Sequence, residues 1–186
     1  MAPINTARLQ IRPVAEADLP ALLRVNQDDE VTRFLPYPSW RSLADGQAWL
    51  ARIERMHAAG SGQQWVVTVR PEGRAPAEVI GSCLLFRRDE GSARAELGYV
   101  LGRAHWGQGL MREALVGLVT EAFTVFGLRR LEAEVNPLNQ PSCRLLEGLG
   151  FVPEGLLRQR WVAKGLTYDT RLYGLLRDEW APQTLP

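Results

Sequence analysis

The 186 residues predict a mixed α/β fold in one domain, residues 1–186. Three features carry that expectation. Short extended segments bounded by Pro, Gly and Asp fill much of the first hundred residues and return at the end. Between them, residues 107–126 place Leu110, Ala114, Leu115, Leu118, Ala122, Phe123 and Phe126 at steps of three and four. That spacing makes one buried helical stripe. A β-type segment, residues 94–101, feeds this helix through a turn bearing Gly107 and Gly109.

In chain order, residues 8–14 read as a short strand, and Asp18 caps a helix running to about residue 26. Phe34-Leu-Pro-Tyr-Pro38 cannot continue a helix, because each proline restricts itself and its predecessor, so a loop presents Phe34 and Tyr37. Ser42 opens a helix to about residue 59, closed by Gly60 and Gly62. Residues 64–70 and 78–88 form a hairpin around a turn at 71–76, with Gly81 as a bulge. A turn at 89–92 leads into the strand 94–101. After the 107–126 helix, ended by Gly127, come a strand at 130–135 and a helix at 140–149 stopped by Gly150. Two last strands cover 151–162 and 167–175.

Composition narrows the function. Against 22 basic residues stand 21 acidic ones, a formal charge of +1, a near-balance that gives no support for a polyanion or membrane-surface partner. A nucleic-acid or membrane partner is therefore not expected. Cys83 and Cys143 lack CxxC or Cys/His spacing and read as reduced, buried thiols, with no metal site implied. The opening residues lack a basic stretch followed by an apolar run, and a cytoplasmic location is expected.

The glycine turn has two readings. It is an anion site, in which unpaired N–H groups and the positive helix end converge on one point, or it is only a tight turn. The dinucleotide fingerprint wants glycine where Arg112 stands, and no Gly-Lys-Ser/Thr run exists, so the two commonest glycine-loop families are excluded. A second constellation follows the strand at 130–135. Asn136, Asn139 and Ser142 precede a helix closed by Gly150 and Phe151. Asn136 reads best as a cap. Asn139 and Ser142 are either caps or ligand contacts sharing one face.

With Trp106-Gly-Gln-Gly109-Leu-Met-Arg-Glu-Ala114, Asn139-Gln-Pro-Ser142 and Leu149-Gly-Phe151 in this order, the chain resembles the GNAT superfamily of acetyl-CoA-dependent N-acetyltransferases. It is most similar to the branch holding bacterial ribosomal-protein N-terminal acetyltransferases, from Leu9-Gln-Ile-Arg12 to Asp178-Glu-Trp180. The resemblance implies a strongly twisted, mostly antiparallel mixed sheet of six to seven strands, splayed centrally and flanked by about four helices. It implies acetyl-CoA as co-substrate, an amine acceptor, and a monomer or homodimer. Leu97, Gly98, Tyr99, Val100 and Leu101 would flank the pantetheine arm. His105, Trp106, Gly107, Gln108, Gly109, Leu110, Met111 and Arg112 would cradle the phosphates, with Asn139 and Ser142 on the other wall. Met111 departs from the superfamily's small residue at its place and would set some bulk near the phosphates.

Acetyl transfer to an amine needs a base, an oxyanion donor and an acid. A lysine side chain has a pKa of ~10.4 and a peptide α-amine only ~8, so the latter needs less help at neutral pH. By the resemblance, Glu96 is the base, acting through water, against the plain reading of a solvated strand residue. Asp169 on the last hairpin is the second candidate for the base and a candidate acceptor contact, or a turn or salt-bridge carboxylate. Many relatives carry an acidic tyrosine where Leu146 stands here, so the proton for the departing thiolate would come from Ser142 or water. A backbone N–H of Tyr99 or Val100 would hold the oxyanion. Phe34 and Tyr37 line the acceptor side in this branch. Arg158 and Arg160 face either solvent or an acidic acceptor. A protein N-terminal α-amine is the leading acceptor; a small-molecule amine, or coenzyme A binding without turnover, are the alternatives.

Overall fold

The computed structural model describes residues 2–70 and 77–181, so the expected turn at 71–76 lies outside the described residues. Among the described residues one sheet of eight strands organises the fold: β1 (Ile4–Asn5), β2 (Leu9–Pro13), β3 (Gln63–Val69), β4 (Glu78–Asp89), β5 (Arg94–Leu101), β6 (Arg130–Val135), β7 (Val152–Ala163) and β8 (Leu166–Leu176). The order is β1-β2-β3-β4-β5-β6-β8-β7. Every neighbouring pair is antiparallel except β5–β6. That parallel pair needs a crossover, which the long helix α4 (Leu110–Thr124) supplies. The sheet is thus mixed and mostly antiparallel, as expected, with one strand more than the sequence suggested. The extra strand, β1, is two residues long, too short to show a period.

The parallel pairing is brief. Arg94, Ala95 and Glu96 partner Arg130, Leu131 and Glu132, and there the β5–β6 ladder stops. β5 runs on to Leu101 still paired with β4, while β6 runs on to Val135 paired with β8. The strands therefore separate into a fork whose apex is Glu96. This is the central splay.

Helices cover both faces. On one, α4 and α5 (Gln140–Gly148) bury Leu115, Leu118, Val119, Ala122 and Leu146 against Trp65, Val67, Leu97 and Leu131. On the other, α1 (Leu19–Asn26) and α3 (Leu43–Ala58) pack Leu19, Leu22, Trp49 and Ile53 on Val66, with Trp40 and Trp49 centroids 5.5 Å apart. Trp65 and Val66 point to opposite clusters, as the two-residue period of a strand requires. A short helix α2 (Asp29–Thr32) completes the five α-helices among the described residues; four residues are below what helical periodicity can report.

Local chemistry explains the boundaries. Ser42 and Asp45 form a capping box at the start of α3, where Asp45 accepts the N–H groups of Arg41 and Ser42. Asp18, in contrast, does not cap α1. It is buried, accepts the Ala15 N–H and pairs with Arg12 at 2.7 Å. α4 begins at Leu110 and not at residue 107, because Gly107 and Gly109 both sit at φ +73°, outside the right-handed helix. The expected bulge at Gly81 is present: Val67 pairs Gly81 and Thr68 pairs Val79, leaving Ile80 unpaired. A Cβ on Gly81 would lie 2.3 Å from the Val100 carbonyl oxygen, so β4 and β5 approach too closely there for any side chain. Cys83 and Cys143 are free and buried, and burial pushes the Cys83 thiol up to about 12.

Candidate active site at the fork of the sheet

The turn between β5 and α4 is held open from outside. Trp106 Nε1 donates to the Leu101 carbonyl at 2.7 Å, and Gln108 Nε2 to the Ala104 carbonyl at 2.9 Å. Among the described residues, the N–H groups of Gly107, Gln108, Gly109, Leu110 and Met111 donate to no acceptor. They stand at the positive end of a 15-residue helix, the arrangement that binds phosphate. A Cβ on Gly107 would meet nothing within 4 Å, and one on Gly109 only Arg8 Nη2 at 3.7 Å. These glycines are required for their left-handed φ, and space is not the constraint. The side chains of Leu110 and Met111 are buried in the core, so Met111 offers the turn its N–H and keeps its bulk away. His105 lies 3.8 Å from Glu78 at the rim.

A buried carboxylate anchors this turn to the sheet. Glu113 accepts from Thr6 Oγ1 at 2.6 Å, from the Arg8 N–H at 2.8 Å and from Arg8 Nε at 2.6 Å. Arg8 Nη1 also donates to the Gln108 carbonyl at 3.1 Å. Burial alone would raise the Glu113 pKa; the Thr6 hydroxyl, the Arg8 N–H and the guanidinium outweigh it and hold it below the usual range.

One wall of the fork is β5 beyond Glu96, where Leu97, Gly98, Tyr99, Val100 and Leu101 have lost the β6 ladder. The other wall is the N-terminus of α5. Tyr99 Oη and Ser142 Oγ share a hydrogen bond of 2.6 Å between the walls. Burial pushes the Tyr99 phenol up to about 12, with the Ser142 hydrogen bond acting against it. Asn139 Oδ1 accepts the Ser142 N–H at 3.3 Å and so caps α5, while Asn136 Oδ1 accepts the Leu138 N–H at 2.9 Å.

At the apex, Glu96 is 8% exposed. Arg87 Nη1 donates to Glu96 Oε2 at 2.7 Å and to Glu134 Oε1 at 3.2 Å. Glu134 also accepts from Trp161 Nε1 at 2.8 Å and from Arg160 at 3.3 Å. Burial raises the Glu96 pKa, the Arg87 charge and hydrogen bond pull it down, Glu134 and Glu132 push it up again, and the balance is upward. A carboxylate moved upward is better matched to a proton-transfer role near neutrality. A cavity of about 380 Å³ opens here, lined by Arg87, Arg94, Arg130 and Arg160 against Glu96, Glu132, Glu134 and Glu154. Each of these carboxylates contacts at least one of these guanidiniums.

The remaining sequence candidates sit further out. Asp169 accepts the Gln159 N–H at 2.8 Å and braces a β7 bulge where Gln159 takes φ +52°. It lines a second, open cavity with Arg158 and Arg160. Phe34 lies under Arg33, with 5.2 Å from guanidinium to ring, and burial pushes the Tyr37 phenol up to about 12. Neither aromatic lines either cavity. The β7–β8 turn does reach their segment, because Lys164 Nζ donates to the Thr32 carbonyl at 2.6 Å. Arg87, Glu134, Trp161 and Glu113 were not singled out from the sequence. Of these only Glu113 left a trace there: it falls three residues after Leu110, on the edge of the apolar stripe. Among the described residues no cluster of acidic, His or Cys side chains could hold a metal, and no helix is long and apolar enough to cross a membrane.

Comparison with known proteins agrees with this geometry. Residues 8–152 match the family model described as an acetyltransferase (GNAT) domain. The uncharacterised N-acetyltransferase p20 of Bacillus licheniformis is 35% identical over 181 residues, 97% of this chain and 99% of that one. The [ribosomal protein uS5]-alanine N-acetyltransferase of Escherichia coli K12 is 31% identical over 137 residues, 73% of this chain and 69% of that one. The solved Vibrio cholerae spermidine N-acetyltransferase, in complex with CoA and spermine, has TM-score 0.80 at 20% identity, covering 94% of this chain and 98% of that one. That last likeness is one of fold.

Proposed function

The chain belongs to the GNAT acetyltransferase family and is an acetyl-CoA-dependent N-acetyltransferase, and from that premise we propose that its acceptor is a protein N-terminal α-amine, such as that of a ribosomal protein. The observation that carries this reading is the charge balance of the apex cavity. Four carboxylates face four guanidiniums there, which leaves no surplus of negative charge to hold a polycation. A polyamine would need such a surplus. An α-amine on a peptide brings a single charge and a lower pKa, ~8, and needs only one partner.

Acetyl-CoA supplies an activated acyl carbon. In the mechanism we propose, the turn N–H groups of Gly107, Gln108, Gly109, Leu110 and Met111 bind its phosphates, and the open edge of β5 binds the pantetheine amides. Glu96 takes the proton from the attacking amine through a water. A β5 N–H, of Tyr99 or Val100, holds the developing oxyanion. Ser142 hands its proton to the departing thiolate, and the Tyr99 hydroxyl, hydrogen-bonded to it, relays a replacement proton from solvent so that both hydroxyls end protonated. Cys143 takes no part in this mechanism, since it is buried and no histidine stands near it in sequence to activate it.

Incubating the protein with acetyl-CoA and peptides with a free Ala or Ser terminus is expected to release free thiol. Spermidine and aminoglycosides are expected to be poor acceptors. Turnover of polyamines at peptide-like rates would overturn the acceptor reading, and coenzyme A binding without turnover of any amine would overturn the mechanism.

The cradle has its own test. A valine at position 109 must adopt a left-handed φ that costs an L-residue about 1–2 kcal/mol, and more when β-branched. Gly109→Val is therefore expected to turn N–H groups out of the cradle and weaken coenzyme A binding about tenfold or more by calorimetry. Wild-type affinity would contradict the assignment of the turn.

A further inference from the structure

We propose that Arg87 is the positioning residue for Glu96: a left-handed bulge in β4 turns its guanidinium into the fork, where it holds the carboxylate toward the incoming amine. The inference rests on the reading of Glu96 as the base.

The backbone makes the first argument. Phe86 is the cross-strand partner of Glu96, so their side chains share a face of the sheet. The pleat would send the next side chain, Arg87, to the opposite face. It does not go there. The β4–β5 register jumps between Phe86 and Asp89, and Arg87 takes φ +50°, a left-handed conformation that a residue with a Cβ disfavours. A bulge re-aims a side chain, and the side chain re-aimed here lands on Glu96. A glycine would relieve the strain, but it would carry no guanidinium.

The contacts make the second. The guanidinium is 5.6 Å from the Phe86 ring and 5.8 Å from the Trp161 ring. It donates to Glu96 on one side and to Glu134 on the other. Glu134 is itself fixed by Trp161 and Arg160. Although its side chain is 45% exposed, Arg87 is clamped between two rings and two carboxylates.

The charged groups that line the cavity with Glu96 are Arg87 from β4, Arg94 from its own strand, Arg130, Glu132 and Glu134 from β6, and Glu154 and Arg160 from β7. Removing Arg87 leaves Glu96 buried beside two carboxylates, where it keeps its proton to higher pH.

The test is the pH dependence of kcat/KM from pH 5 to 9, with acetyl-CoA and a peptide bearing an N-terminal alanine, for wild type, Arg87→Met, Arg87→Lys and Glu96→Gln. In parallel, the Glu96 carboxyl is titrated by 13C NMR in glutamate-labelled protein, its signal assigned by its loss in Glu96→Gln; this needs no acceptor. Arg87→Met is expected to raise the acidic limb and the carboxyl midpoint together by about one pH unit or more. Coenzyme A affinity should stay within about twofold, and Arg87→Lys should recover much of the shift, because lysine returns a cation beside the Glu96 carboxylate. An unmoved carboxyl midpoint in Arg87→Met overturns the proposal, as does a rate loss equal at every pH. Where Arg87→Met does not fold, Arg87→Gln is read the same way. Wild-type turnover by Glu96→Gln sinks the base assignment instead, and does so whatever the Arg87 variants show.

Discussion

Glu96→Gln is expected to lower kcat at pH 7 by about two to four orders of magnitude, the usual contribution of a positioned general base. Coenzyme A affinity should barely change, because Glu96 stands at the apex of the fork, away from the turn of the phosphate cradle. Glutamine keeps the shape and one oxygen for Arg87, so the loss reports proton transfer and not collapse of the ion cluster. The deficit should shrink toward pH 9, where an α-amine of pKa ~8 has already lost its own proton. Equal turnover of variant and wild type from pH 6 to 9 would remove Glu96 as the base.

Stability separates this loss from unfolding. The Glu96 pKa is raised in the folded state, above all by burial. A carboxyl shifted upward favours folding below its unfolded pKa, and that contribution is lost as pH rises through the folded value. Once the pH has risen through that folded value the ionised Glu96 is a net cost to the fold, and there Glu96→Gln should melt no lower than wild type. A variant that is both inactive and unstable would point to a structural role.

The same residue shows how far a sequence can be read. Glu96 could be picked out as a candidate because it stands near the start of a strand that leads to a glycine turn, and a family resemblance gives that place a meaning. Arg87 could not, because reading a strand means counting by two, and a single left-handed residue breaks the count. Arg160 and Trp161 were obscured in the same way by the bulge at Gln159, which lets both neighbours reach Glu134. The turn's glycines were legible as residues that tolerate unusual φ, but their actual φ of +73° moved the helix start to Leu110. Asn139 and Ser142 were rightly placed at a helix start. Only coordinates show that Asn139 spends its oxygen on the Ser142 N–H, while the Ser142 hydroxyl turns to Tyr99. Periodicity finds long helices and the strands of a packed sheet. It cannot find contacts that depend on where the period fails.

Glu113→Ala is expected to cost the fold about 3 kcal/mol at pH 7, since it leaves the Thr6 hydroxyl, the Arg8 N–H and the Arg8 guanidinium without their shared acceptor. Glu113 is 3% exposed on the first turn of α4, so no water replaces it easily. Its pKa is lowered in the folded state, despite burial, by those three donors. A carboxylate shifted downward stabilises above its unfolded pKa, about 4.3, and that contribution is lost as pH falls through the folded value. The gap between Glu113→Ala and wild type in urea unfolding should therefore be widest near pH 7 and narrow below about pH 4. An equal gap at pH 3.5 and pH 7 would show that Glu113 contributes by packing alone. The variant should also bind coenzyme A more weakly at neutral pH, under conditions where it remains folded. Arg8 fastens the turn by donating to Gln108 while Glu113 fastens Arg8, so a cradle of backbone N–H groups is only as well aimed as this buried carboxylate holds it.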